Sequence, residues 1–183
     1  MTKPTHDMKK LILLLFIPLV SFGQTAITDA NRYQAIETCL STNPIDGMCS
    51  DSEYGAMPDW DVSNVTDMSN AFYERNGFNA DISSWDVSSV TNMEYMFYEA
   101  PSFNQDISFW NVSSVTDMTF MFAFAESFNQ PIGGWNVSGV TKMQGMFRNA
   151  PAFNQPIGNW NVSSSTTMQG MFASATSFNQ PIG

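Results

Sequence analysis

The sequence predicts an α/β repeat solenoid: five stacked 25-residue units of short parallel strand and short helix, behind a helical N-terminal cap. Three observations carry this. All five tryptophans fall at one spacing, at Trp60, Trp85, Trp110, Trp135 and Trp160, and self-similarity at a fixed period marks a stacked array. Apolar residues then recur at fixed distances from each Trp. The only two cysteines, Cys39 and Cys49, lie ahead of the first unit.

The N-terminal segment reads as an address. Lys9 and Lys10 precede an apolar run from Leu11 to Val20, and Ser21-Phe22-Gly23 places small residues where a signal peptidase needs them. Cleavage before Gln24 makes residues 1–23 a secretory signal, with Met8 as an alternative start. The other reading is a buried N-terminal helix. The run is short for a membrane span, so no membrane insertion is expected after cleavage, and the expected location is secreted or at the cell surface.

Residues 24–59 are expected to cap the array. Thr28 or Asp29 is suited to start a helix running to about Leu40, with Ala30, Ile36 and Leu40 on one face and Asn43-Pro44 as its stop. Residues 42–59 then read as a loop. In an oxidising compartment Cys39 and Cys49 are expected to form a disulfide; the alternative is two free buried thiols.

The repeats occupy 60–84, 85–109, 110–134, 135–159 and 160–183. Across the first boundary, Ile82 at the end of unit one and Trp85, Val87 and Val90 in unit two have the spacing of the strand and turn of a leucine-rich repeat. Thr91 is placed to cap a helix. Met93, Met96, Phe97 and Ala100 follow at i, i+3, i+4 and i+7, one helical face. Phe103-Asn104 carries the chain back, and the Asn at 104, 129, 154 and 179 is expected to satisfy loop backbone groups in stacked turns. One unit cannot bury its apolar side alone, so stacking supplies the core. No matching cap follows unit five, which stops at Gly183 one residue short, as a fragment of a longer array would.

The run Trp85-Asp86-Val87-Ser88-Ser89-Val90-Thr91-Asn92-Met93, with Met96-Phe97 and Phe103-Asn104-Gln105, resembles the bacterial surface-protein repeat of the BspA-like leucine-rich-repeat family. The likeness covers Trp60 to Gly183. Ala71 in unit one and Ser165 in unit five depart from it. The resemblance implies an extracellular adhesion or interaction protein.

Composition narrows the function. The chain has 17 acids and 7 bases; removing residues 1–23 takes one Asp and three Lys, leaving 16 and 4, a net of −12. A phosphate-binding surface needs a basic stripe, and none is present, so nucleic acid is not an expected partner. The single histidine, His6, lies in the leader, which leaves no Ser-His-Asp or Cys-His arrangement after cleavage. No Gly-rich phosphate loop or zinc spacing occurs. No cofactor or metal is expected.

The remaining chemical candidates are Asp61 and Asp86. On adjacent strands they would stand ~5 Å apart, near the separation of a retaining glycosidase pair, and such a pair also suits weak calcium binding. Asn111, Asn136 and Asn161 fill the same position later, which favours a polar ladder on the solvent side. The expected function is therefore binding of an extracellular protein or glycan, with a carbohydrate-active enzyme as the alternative. Positions that differ between units locate the contact. Ten and fourteen residues after Trp, on the outward side of the expected helix, units two and three carry Tyr95, Phe120 and Phe124 as an aromatic cluster. Phe109 stands where other units have Ser84, Gly134 and Asn159. The polar side with Asp61 and Asp86 is the second candidate surface.

Overall fold

The computed structural model describes residues 24–182; the leader at 1–23 lies outside the described residues. The chain is a repeat solenoid of aromatic, stacked units, but its secondary structure differs from the expectation. Among the described residues the elements are one helix, α1 (Arg32–Leu40), and two 3-10 turns, Met57–Asp59 and Ile132–Gly134. No strand forms. The units touch through single parallel bridges that link Asp67, Asn92, Asp117, Lys142 and Thr167.

The strands expected around each Trp are absent for a local reason. Each Trp amide turns back on its own chain: Trp85 donates to the Ile82 carbonyl and Trp110 to that of Ile107. Those amides are unavailable for pairing between units. Trp60 (φ −67°, ψ 133°) and Trp135 (φ −63°, ψ 135°) lie near the polyproline II conformation, which has no hydrogen bonds of its own. The indoles nonetheless point inward as expected. Those of Trp85, Trp110, Trp135 and Trp160 donate to the carbonyls of Met57, Ile82, Ile107 and Ile132, at 3.0, 3.1, 3.1 and 3.3 Å.

The helix expected over Thr91–Ala100 is also replaced. Every second amide leaves its unit. Those of Met93, Tyr95, Phe97 and Glu99 donate to Asp117, Thr119, Met121 and Ala123 at 2.9–3.0 Å. The amides between them close three-residue turns, such as Met96 to Met93 and Tyr98 to Tyr95. Tyr95 and Glu99 have positive φ, 57° and 51°, which an α-helix does not admit. Met93, Met96, Phe97 and Ala100 are still fully buried, because consecutive three-residue turns bring them to one side as a helix would. Thr91 does not cap a helix: its amide and hydroxyl both reach the Thr66 carbonyl one unit earlier.

Two aromatic columns run through the core. Phe72, Phe97, Phe122, Phe147 and Phe172 stack at 5.4–5.7 Å, and Phe78, Phe103, Phe128, Phe153 and Phe178 run beside them. Outside this lies an asparagine ladder. The amides of Asn104, Asn129, Asn154 and Asn179 each donate to the side chain of the Asn 25 residues earlier, so Asn104, Asn129 and Asn154 satisfy loop backbone groups as expected, Asn79 does the same for unit two, and Asn179 enters only through its amide. A second ladder changes along the array. Asp81 and Asp106 hold the amides of Ser83 and Ser108, whereas later units place Pro131 with Gly133 and Pro156 with Gly158. A Cβ on Gly133 would sit 2.2 Å from the Pro156 carbonyl oxygen, so only glycine admits the approach of the next unit.

The cap works by imitating a preceding unit. Helix α1 starts at Arg32 rather than Thr28, behind Asn31, and Ala30 is exposed. Asp29 instead reaches across to unit one. Its carboxylate accepts from the Thr66 amide at 2.9 Å, the Thr66 hydroxyl at 2.7 Å and the Asp67 amide at 3.1 Å. In later units a Thr carbonyl does this work. Arg32 pairs with Asp67, Arg75 with Glu37, and the Tyr33 hydroxyl donates to the Ser69 carbonyl. Ile27, Ala35, Ile36 and Leu40 join the core, and Cys39 and Cys49 form a disulfide.

This docking has a pH signature. Burial opposes ionisation of Asp29, but the Thr66 hydroxyl, the Asp67 and Thr66 amides and nearby Arg32 outweigh it and lower its pKa below 3.8. A carboxylate lowered on folding stabilises well above its unfolded value and loses that contribution as pH falls through the folded value. Asp29→Ala should cost about 1 kcal/mol near neutral pH, the size of a lost helix-cap interaction. Urea titrations of both proteins should converge as pH falls below 3.8. A gap that persists undiminished in acid would show that Asp29 acts through packing.

Candidate binding face

The alternation of outgoing and returning amides sets what each unit displays. Positions ten and fourteen after Trp carry left-handed backbone in every unit. Unit one has Asn70 and Glu74, unit two Tyr95 and Glu99, unit three Phe120 and Phe124, unit four Gly145 and Asn149, unit five Gly170 and Ser174. Gly and Asn suit this conformation. For bulky side chains it is strained by ~1–2 kcal/mol per residue, and Tyr95, Phe120 and Phe124 hold φ of 57°, 52° and 60°. Strained backbone concentrates at functional sites.

Tyr95, Phe120 and Phe124 come together as the sequence suggests, on turns rather than a helix. Tyr95 and Phe120 stack at 5.3 Å with 17° between planes. Tyr98 adds its ring at 5.4 Å from both Tyr95 and Phe124, edge to face. Tyr73, 38% exposed, continues the array through a stacked contact of 5.0 Å with Tyr98. Tyr95, Tyr98, Phe120, Phe124 and Arg148 line a hollow of about 280 Å³. A second hollow of about 380 Å³ opens on the other side of Phe124, between Glu126, Asn149, Pro151, Ser174 and Thr176.

Tyr73, Tyr98 and Arg148 escape the sequence reading because it compared positions ten and fourteen alone and left out position thirteen. In the actual turns position thirteen faces the same way. It too varies: Tyr73, Tyr98, Ala123, Arg148 and Ala173. That variation was the available signal. Ala123, fully buried, leaves the gap between Tyr98 and Arg148. Gly145 serves the same face: an added Cβ would lie 2.2 Å from the Phe120 ring. Glycine there lets that ring lie over unit four.

Electrostatics differ along the face. The Tyr73 hydroxyl is raised by a hydrogen bond with the Glu74 carboxylate, and that of Tyr98 by burial and then by Glu99. Arg32, Arg75 and Lys142 pair with Asp67, Glu37 and Asp117. Arg148 is the one cation of the four among the described residues without a carboxylate partner.

The other candidates stand apart. Phe109 is 89% exposed and shares no ring contact with this cluster or any other aromatic residue described. Asp61 and Asp86 are not on a strand. Each accepts from the amide two residues on, Ser63 and Ser88, at 3.0 Å, and Asn111, Asn136 and Asn161 do the same. The Ser63 hydroxyl and amide hold Asp61 below the usual carboxylate range; those of Ser88 do so for Asp86, slightly opposed by the charge of Asp61. Both aspartates are therefore turn-forming acceptors. Among the described residues no three His, Cys, Asp or Glu side chains converge as a metal site requires, and no helix is long and apolar enough to cross a membrane.

No curated protein and no solved structure matches the chain. Residues 45–152 and 125–183 match the repeat family described as "Mycoplasma protein of unknown function, DUF285", and over that span, most of its length, the chain belongs to this family.

Proposed function

We propose that this protein is an exported surface interaction module that binds an extracellular protein or glycan through the aromatic face of units two to four and performs no chemistry on it. The observation that carries this is the strained aromatic display. Phe120 and Phe124 occupy left-handed positions where other units of the same chain use Gly145, Gly170 and Ser174. Packing does not require bulk at these places, and aromatic residues are favoured anchors of interfaces. The likeness to BspA-like leucine-rich surface repeats and the leader expected at 1–23 support an extracellular setting.

The alternative is a carbohydrate-active enzyme using Asp61 and Asp86. A general acid needs a raised pKa to hold its proton near neutral pH. Both groups are lowered, which speaks against that role.

The test replaces Phe120 by Gly and Phe124 by Ser, the residues that later units carry. Relief of backbone strain at position 120, where glycine has no Cβ, offsets part of the lost ring contact, so the unfolding midpoint should stay close to that of the parent. Binding to a glycan array and to immobilised mucin and matrix proteins should fall at least tenfold, as truncation of aromatic anchors does. Binding that survives on an intact fold would move the site to the polar side with Asp61 and Asp86. Turnover of a glycan that disappears in Asp86→Asn would establish the enzyme instead.

A further inference from the structure

We infer that the hollow between Tyr98, Phe120, Phe124 and Arg148 receives a sugar bearing a carboxylate, an assignment of ligand class that rests on the binding role proposed above. Charge gives the first argument. Residues 24–183 carry 16 acids and 4 bases. Of those bases only Arg148 has no carboxylate partner among the described residues, and it lines the aromatic hollow. A guanidinium presents a planar fork of donors that matches a carboxylate in two hydrogen bonds. A surface this acidic repels polyanions, so the anion must be single and its carrier otherwise neutral.

Shape gives the second argument. Tyr95 and Phe120 are nearly parallel at 5.3 Å, and Tyr98 stands edge-on to Phe124. The C–H face of a pyranose is flat and apolar and packs against such rings, while its hydroxyls need acceptors at the edge. The hydroxyls of Tyr95 and Tyr98, which line the hollow, supply polar atoms for that edge. The space exists because Ala123 separates Tyr98 from Arg148 in the stack and Gly145 admits the Phe120 ring.

The backbone argues against an extended peptide. Strand addition needs free amides and carbonyls along an edge. Here the amides of Phe120 and Phe124 donate to Gln144 and Arg148, and that of Ala123 donates to Phe120. Recognition at this face falls to side chains.

Calorimetric titration of the purified protein with sialyllactose, a glucuronic-acid disaccharide, lactose and the methyl ester of sialyllactose tests the assignment. At least one carboxylated sugar should bind, at least tenfold more tightly than lactose or the ester. Added salt should weaken that binding, because a surface ion contact is screened. Arg148→Gln should reduce it to the lactose level with an unchanged unfolding midpoint, and Arg148→Lys should restore only part of it. Equal binding of the ester, indifference to Arg148→Gln, or preference for a peptide with a free C-terminal carboxylate would overturn the assignment. If no sugar binds but another partner binds and is lost with Phe120→Gly and Phe124→Ser, the ligand class is wrong and the binding face stands. If no partner depends on those rings, both fall.

Discussion

Trp110→Ala will lower the unfolding free energy by about 3–5 kcal/mol, the range of large aromatic truncations in packed cores. The indole is 4% exposed, lies 6.4 Å from the Phe97 ring, and donates at 3.1 Å to the Ile82 carbonyl at the end of unit one. Truncation therefore opens a cavity and removes one of the two hydrogen bonds that the Ile82 carbonyl accepts, the Trp85 amide keeping the other. Total stabilities of domains are about 5–15 kcal/mol, so one such loss is a large share. The position of the unit matters as much as the side chain. In a stacked array stability is a sum of unit and neighbour contributions, and Trp110 sits in the middle unit with neighbours on both sides. Trp160, in the last unit, is 9% exposed, and its replacement by Ala should cost distinctly less. Urea denaturation of the two variants and their parent measures both quantities. Equal losses would mean that the indoles contribute within their own units and that coupling between units lies elsewhere.

What the sequence made legible was position, and what it hid was backbone. Met93, Met96, Phe97 and Ala100 are buried as their spacing foretold, yet they lie on turns. The two arrangements share the i, i+3, i+4 pattern, and the signal that separates them is at Tyr95 and Glu99, where the chain turns left-handed. Gly145 and Gly170 at the equivalent place mark that conformation openly. In units two and three, aromatic residues conceal it. Trp85 and Val87 likewise suggest a strand by alternation, but the Trp85 amide is consumed by Ile82. A period-two pattern does not reveal where an amide goes. The cap was legible in outline, through Cys39 and Cys49 and the residues up to Leu40. The role of Asp29 was not, because its partners Thr66 and Asp67 lie 37 and 38 residues away. The binding face was half legible. Comparing units found Tyr95, Phe120 and Phe124; restricting the comparison to positions ten and fourteen left out Tyr73, Tyr98 and Arg148.

Phe122→Ala will cost a comparable 3–5 kcal/mol, and its consequences should extend beyond stability. The ring is fully buried, 4.0 Å from Phe128 within its own unit, and 5.5 and 5.7 Å from Phe97 and Phe147 in the units on either side. It lies between Phe120 and Phe124 in sequence, and the three amides donate in turn to Gln144, Met146 and Arg148. The buried ring is thus the inward member of an alternation whose outward members are the two strained residues of the binding face. Removing it leaves a cavity under the one segment that must hold φ of 52° and 60° on phenylalanine. That strain persists only while surrounding contacts over-determine it. Phe122→Ala should therefore loosen the aromatic face before the fold is lost. Hydrogen exchange should show the amides of Phe120 and Phe124 opening earlier than those of Phe97 and Phe147. Phe122→Leu, which keeps most of the volume, should cost less and leave that order of opening unchanged. If Phe122→Ala instead raises exchange evenly across all five units, the columns unfold as one cooperative body and the face has no independent support from this ring.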